Sequence, residues 1–365
     1  MQAVILYCEK NSRFHFGETT EIQSNTLTDT SVYILSAQDK NVFPSGNTLT
    51  DTSVYIHSDL LFSAFINQLN VIEPDKIEVF IEHFTKQQIG ISSAFYCLEH
   101  TLSKQKIFFL PKPINLNLFH QEGLDHKKLK KIQFLSWKVW QEQLLPNEWF
   151  DVSKCHIIDG RFVVHKSEIS DPNELKDLAI FKKEDSLKVR KHTQEEDGNL
   201  YNQTDLFLLG NDYFSVHWYF LCQMNLSSED EALFWKVWES LIKTGIGGER
   251  STGAGQIESL SKYEDLPEFF TQEGLKRVAL SLIFPKEEEK ASLELYQTKL
   301  RGGMFLAKDH RLKVIQAVLE GAIHQSIQGQ IVPLHRQESD GIRLRNGLAF
   351  SIALPQKYSS FLENT

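Results

Sequence analysis

An α+β fold is predicted by three features of the sequence. These are an amphipathic helical stripe near residue 58, a second near residue 229, and short alternating runs between and beyond them. The order strand–helix–strands–helix–strand, followed by a second set of strands, fits two ferredoxin-like (RRM-like) units, 1–262 and 263–365. Their boundary is expected near Ser261 to Glu268.

The first helix, Ser58 to Leu69, aligns Leu61, Phe65 and Leu69 with Phe62 and Ile66 beside them, and Ser58 is its expected N-cap. Strand-like runs follow at Ser92–Thr101, Lys106–Leu110, Arg161–His165 and Tyr213–Gln223. In the last, Phe214, Val216, Trp218 and Phe220 alternate with Ser215, His217 and Tyr219. The second helix, Glu229 to Lys243, has a capping-box pattern in Ser228 and Glu231, and a stripe of Phe234, Val237, Trp238 and Leu241. Gly245 ends it. Beyond Gly255, Val278, Leu280, Leu282 and Phe284 alternate, as do Leu348, Phe350, Ile352 and Leu354. Pro285–Lys290 reads as an exposed turn. Gln121–Trp149, which carries the Lys127–Lys131 cluster, reads as a helical insertion.

Asn25–Ile34 and Asn47–Ile56 both read NTLTDTSVYI, offset by 22 residues. One repetition is too little for a solenoid. The second copy runs into the first helix, so 25–46 is expected to be a tolerated loop insertion.

The 365 residues carry 48 Asp plus Glu against 39 Lys plus Arg, a formal charge of −9. That balance excludes a protein that coats nucleic acid through bulk charge, but not one that grips a defined RNA locally. Cys8, Cys97, Cys155 and Cys222 are too far apart for Cys-x-x-Cys pairing, so reduced core thiols are expected. The N-terminal residues lack a basic segment and a signal-length apolar run, and no apolar run reaches the length of a membrane span. A cytoplasmic protein with no membrane partner is expected.

The sharpest motif is Gly245-Ile-Gly-Gly-Glu-Arg-Ser-Thr-Gly-Ala-Gly255, with five of the chain's 19 glycines in 11 residues, between a helix and the short strand Gln256–Leu260. Such density implies positive-φ positions and exposed amides. No Gly-Lys-Ser/Thr follows, and Arg250 stands where a dinucleotide fingerprint needs its third glycine. The loop also follows a helix, whose dipole then opposes phosphate binding. Composition alone leaves an elaborate turn and a phosphate-contacting loop equally open.

A loop of the form GIGG-[DE]-R-S-[ST]-G-x-G resembles the signature of the RAMP superfamily of CRISPR proteins. The order of segments resembles the subfamily of subunit four of the Csm (type III-A) effector complex. Ser58-Asp59-Leu60-Leu61-Phe62-Ser63-Ala64-Phe65 is similar to its S-D-T-L-F-S-A motif, with Leu60 in place of Thr. Lys188-Val-Arg190-Lys191-His192-Thr193, followed by Asn199-Leu-Tyr-Asn-Gln, resembles its basic hairpin. Arg343-Leu-Arg345-Asn346-Gly347-Leu-Ala-Phe350 resembles its terminal Y-R-x-G-x-A-F strand, with Asn where the family often has Tyr.

The resemblance implies a prokaryotic, non-catalytic subunit with a protruding β-hairpin thumb at 182–210, and neither metal nor small-molecule cofactor. The expected partners are the 5′ handle of the guide RNA (crRNA), the large polymerase/cyclase-like subunit and the backbone RAMP subunit of the filament. Gly245, Gly247, Gly248, Arg250, Ser251, Thr252, Gly253 and Gly255 would lie along the handle phosphates. Lys188, Arg190, Lys191 and His192 would follow the guide from the hairpin stem. Glu195, Glu196 and Asp197 at the tip suit a protein partner better. Tyr201, Tyr213 and Tyr219 could stack on bases, but nothing singles one out. Two rival readings remain. One is a metal-independent RAMP endoribonuclease processing precursor crRNA, with His57 or His15 as base. The other is the equivalent subunit of a Cmr or III-D complex.

Overall fold

The computed structural model describes residues 1–18, 51–190, 199–302, 304–305, 310–311, 313–334 and 343–360. The chain begins with β1 (Gln2–Tyr7), β2 (Arg13–Phe14) and β3 (Gly17–Glu18), which pairs with β4 (Asp51–Thr52). Helices α1 (Ser58–Ile72) and α2 (Ile77–Thr85) lead to β5 (Ile89–Ile91), β6 (Phe95–His100) and β7 (Lys106–Pro111). Next come α3 (His126–Lys131), β8 (Phe134–Ser136), α4 (Trp137–Gln141), α5 (Pro146–Trp149), β9 (Cys155–Ile158) and β10 (Phe162–His165). A long hairpin of β11 (Phe181–Arg190) and β12 (Asn199–Leu208) precedes β13 (Phe214–Met224), α6 (Ser228–Thr244) and β14 (Ser259–Tyr263). The rest is short strands: β15 (Arg277–Ala279), β16 (Leu293–Leu295), β17 (Thr298–Arg301), β18 (Met304–Phe305), β19 (His310–Arg311) and β20 (Ile315–Val318). Then follow β21 (Ile323–His324), β22 (Gly329–Pro333), β23 (Leu344–Leu348), β24 (Ser351–Ala353) and the four-residue α7 (Gln356–Ser359).

The main sheet runs β14–β1–β13–β6–β7–β8–β10–β9, with β5 also on β13. Within it β14, β1, β13 and β6 each run antiparallel to their neighbours, and α1 and α6 pack together on one face. Phe65 of α1 meets Phe234 and Trp238 of α6, and Trp238 stacks on Phe220 of β13 at 4.6 Å. The opposite face is covered as well. Trp137 stacks on Phe108 at 4.1 Å and donates to Tyr219 Oη, which donates to the Phe109 carbonyl. Ser215, His217 and Tyr219 therefore do alternate with the apolar set, but His217 and Tyr219 are buried too, because β13 is central in a sheet covered on both sides. The second sheet, β16–β21–β15–β24, joins the main core through Val278, Leu280 and Ile352.

Several local expectations shift. Helix α6 is capped by Ser227, whose Oγ accepts the Asp230 N–H at 3.2 Å, so Ser228 is its first residue. The N-cap of α1 is His57. Ser58 turns its Oγ to the Leu282 N–H at 3.0 Å, 224 residues away, and links the first helix to the second set of strands. The strand after the Gly-rich loop starts at Ser259 rather than Gln256. Segment 121–149 holds three short helices, but it also contributes β8 to the sheet, and Trp137, Trp140 and Trp149 are buried. The four cysteines are buried and unpaired, and burial pushes the Cys8, Cys97 and Cys222 thiols up. The first copy of the duplicated decapeptide lies outside the described residues. The second is described from Asp51 and reaches the sheet through an Ile56–Ala94 bridge. Among the described residues, no helix is long and apolar enough to cross a membrane.

Candidate nucleic-acid interface

The Gly-rich loop leaves α6 at Gly245 and folds back on itself. The Ile246 N–H donates to the Gly255 carbonyl at 2.9 Å. The folded loop then docks on the segment that contains β2: Gly248 N–H reaches the His15 carbonyl at 2.8 Å, and Gly255 N–H the Arg13 carbonyl at 2.7 Å. Glycine is required at the close approaches. A Cβ on Gly247 (φ 102°) would meet the His15 carbonyl oxygen at 2.7 Å. Two of the loop's amides are thus used to fix it to the fold. At its exposed tip, Glu249 (φ 56°) leads into a single 3₁₀ turn, Arg250–Thr252. No hydrogen-bond partner is found among the described residues for the amides of Glu249, Arg250 and Ser251. Arg250, Ser251, Thr252 and Gly253 are exposed there. Arg250 also borders a cleft of about 340 Å³ with Glu9, Ser12, Lys243 and Glu258.

Arg13 organises the turn. Its Nη2 donates to both the carbonyl and Oγ1 of Thr252, each at 2.7 Å, while Nη1 lies 3.6 Å from the buried Asp205 carboxylate. Thr252 Oγ1 in turn donates to the Glu249 carbonyl. His15 places Nδ1 3.0 Å from the Thr204 carbonyl and 3.4 Å from Asp205. Arg13 is a site residue that motif reading misses. The alternation Arg13-Phe14-His15-Phe16 is its local signal: Phe14 and Phe16 go into the core against Trp218, and Arg13 and His15 go to the loop and to β12.

The hairpin is tied to the same strand. β12 pairs with β2 through Leu206–Phe14 and Phe207–Arg13, and with β11 over ten residues from Phe181–Leu208 to Arg190–Asn199. Two segments separated by about 40 residues in sequence therefore meet on either side of β2. In the hairpin register, Lys188 lies opposite Tyr201, on the face away from the exposed Leu187, Val189 and Leu200. Arg190 ends the described part of β11. Lys191 and His192, with Glu195, Glu196 and Asp197, lie outside the described residues.

The two histidines of the nuclease reading are not presented to solvent. His57 is buried, with Nδ1 2.9 Å from Glu320, and the ring of His15 is largely covered. Among the described residues, no cluster of three or more His, Cys, Asp or Glu could hold a metal ion. His217 accepts the Cys8 N–H on Nδ1, and burial lowers its pKa to about 4, as expected of a structural histidine.

No protein-family model matches the chain. The CRISPR system Cms protein Csm4 of Methanocaldococcus jannaschii is 29% identical to it over 368 residues, covering 88% of this chain and 85% of that protein. The crystal structure of a Csm3–Csm4 subcomplex in the type III-A CRISPR-Cas interference complex matches 97% of this chain and 100% of its counterpart. The TM-score is 0.65 and the identity 22%, a likeness of fold. The resemblance to subunit four of the Csm complex thus extends along nearly the whole chain, well beyond the motifs.

Proposed function

We propose that this chain is a non-catalytic, RNA-binding subunit of a type III-A CRISPR (Csm) interference complex. It caps the 5′ repeat-derived handle of the crRNA and anchors the large polymerase/cyclase-like subunit to the backbone filament. The observation that carries this reading is the placement of the Gly-rich loop and the basic hairpin on one short strand, β2, with Arg13 pinning the loop from below. A single strand of RNA crossing this surface would meet Arg250, the Ser251 hydroxyl and the tip amides. The Thr252 hydroxyl is engaged by Arg13 and the Glu249 carbonyl and serves to hold the turn. The RNA would then meet Lys188 and Arg190 on the hairpin, with Lys191 and His192 following in sequence. These groups favour phosphate contact locally in a chain whose net charge is −9. The structural relative's pairing with Csm3 supports the backbone partner.

The architecture supports one ferredoxin-like unit directly. The antiparallel order β14–β1–β13–β6, with α1 after β1 and α6 after β13, is the split βαβ pattern. We read the strands of 263–365 as a second, degenerate unit. The enzyme reading is disfavoured by the burial of His57 and His15.

Arg250→Glu is expected to weaken binding of a handle-sequence oligoribonucleotide about tenfold, the effect of losing a charge-assisted contact and adding repulsion. Fluorescence anisotropy at fixed salt measures it, and unchanged affinity would remove the loop from the RNA surface. Small RNAs sharing one 5′ end should copurify with the native protein. Site-specific cleavage of repeat RNA in EDTA that is lost in His15→Ala would instead establish the nuclease.

A further inference from the structure

The Lys127–Lys131 cluster plays no part in the loop-and-hairpin surface. It forms α3, a six-residue helix capped by Asp125, whose carboxylate accepts the amides of Lys127 and Lys128. Leu129 is buried, while Lys127, Lys128, Lys130 and Lys131 are all exposed. Their only carboxylate neighbour among the described residues is the cap itself, 3.9 Å from Lys128. In a chain with a formal charge of −9, four exposed lysines on five residues with so little compensation stand apart. The helix is held from beneath by the buried Lys112, which donates to the Leu129 carbonyl at 2.8 Å and to Asn117 Oδ1 at 2.7 Å.

The second observation is a pair of rings. His120, exposed, and His126, at the first turn of α3, stack with centroids 5.0 Å apart and planes 11° from parallel. Flat rings beside exposed ammonium groups are the equipment of single-stranded nucleic-acid binding, where bases stack and phosphates pair with cations. An acidic protein surface would use the lysines but has no need of the rings. The position is also separate from the Gly-rich loop. The loop leads into β14, whereas α3 leads into β8, five strand positions away, or about 24 Å of sheet.

We propose that α3 with His120 and His126 is a second binding surface for single-stranded RNA, set apart from the Gly-rich loop. The full-length chain carrying Arg250→Glu lowers the contribution of the Gly-rich loop and is the background for the test. Binding of a 12-nucleotide oligouridylate to that protein is measured by anisotropy at several salt concentrations. Adding Lys127→Gln, Lys130→Gln and Lys131→Gln together is expected to lower affinity at least tenfold. It should also flatten the log–log salt slope by about 2, since each lost single-strand phosphate contact removes roughly 0.7. Adding His120→Ala and His126→Ala instead should weaken oligouridylate more than an abasic oligomer of equal length. His120 and the three lysines are exposed and His126 is half-buried, and circular dichroism verifies that each variant is folded. Unchanged affinity and slope in the lysine variant would overturn the proposal. So would loss of polyglutamate binding with RNA binding intact, which would assign the patch to an acidic protein partner.

Discussion

Asp59→Ala should destabilise the protein by about 3–5 kcal/mol, the usual consequence of removing one partner from a buried ion pair. Asp59 is 1% exposed. Its Oδ1 accepts from Arg301 Nη2 at 3.0 Å, and its Oδ2 from Arg301 Nε at 3.1 Å and Arg345 Nη1 at 2.8 Å. Arg345 also donates to the Gly302 carbonyl, so alanine would leave two largely buried guanidinium groups with, among the described residues, that one acceptor between them. Burial alone would raise the Asp59 pKa, but Arg301 and Arg345 outweigh it and hold the carboxyl below its ordinary value. The sign follows. A depressed folded-state pKa contributes stability that is fully present above the unfolded carboxylate range, near 4. That stability is lost as pH falls through the lower folded value. Urea melts of wild type and Asp59→Ala should therefore differ at pH 7 and converge in acid. A difference below about 1 kcal/mol at pH 7 would show that the cluster adds no stability. Asp59→Leu with Arg301→Met and Arg345→Met should recover much of the loss, because an apolar cluster of similar volume avoids the desolvation penalty.

This network explains which features of the fold were legible in the sequence. Helices α1 and α6 and β13 announce themselves by local periodicity, since each buries a regular stripe or face. The hairpin, with Leu187, Val189 and Leu200 exposed, is legible only through the resemblance. Asp59 is different: its partners lie 242 and 286 residues away, and no local pattern links them. The S-D motif at 58–59 and the R-x-G segment at 345–347 are one apparatus, in which Ser58 takes the Leu282 amide, Asp59 takes Arg345, and His57 and Ser93 take Glu320. Motif resemblance finds both ends of that apparatus without showing that they touch. The α6 cap fails for a smaller reason. Ser227 and Ser228 each have an acid three residues on, Asp230 and Glu231, so the pattern fits two registers, and burial of Phe234, Val237 and Trp238 selects the first. At the candidate site, the Gly-rich loop is obvious by composition. Arg13, which orders its tip, lies 239 residues from Thr252 and becomes visible only when the sheet is assembled.

Gly255→Ala should undock the Gly-rich loop, whereas Gly253→Ala should leave it in place. Both glycines have positive φ, 76° and 85°, so both replacements carry the left-handed penalty, on the order of 1–2 kcal/mol. Space separates them. A Cβ at 253 meets nothing within 4 Å, but at 255 it falls 2.2 Å from the Ile246 carbonyl oxygen and 3.0 Å from its carbon. Both contacts are backbone, in the limb whose N–H bonds Gly255, so neither limb can yield without breaking the Gly255–Arg13 and Ile246–Gly255 hydrogen bonds. Gly255→Ala is therefore expected to cost a further 2–3 kcal/mol or so from lost buried hydrogen bonds. Hydrogen exchange reads the difference directly. The amides of residues 246, 248 and 255 should lose protection in Gly255→Ala and keep it in Gly253→Ala, with RNA affinity following the same order. Equal protection in the two variants would mean that the glycine density encodes the left-handed turns alone, and that docking on β2 does not hold the loop.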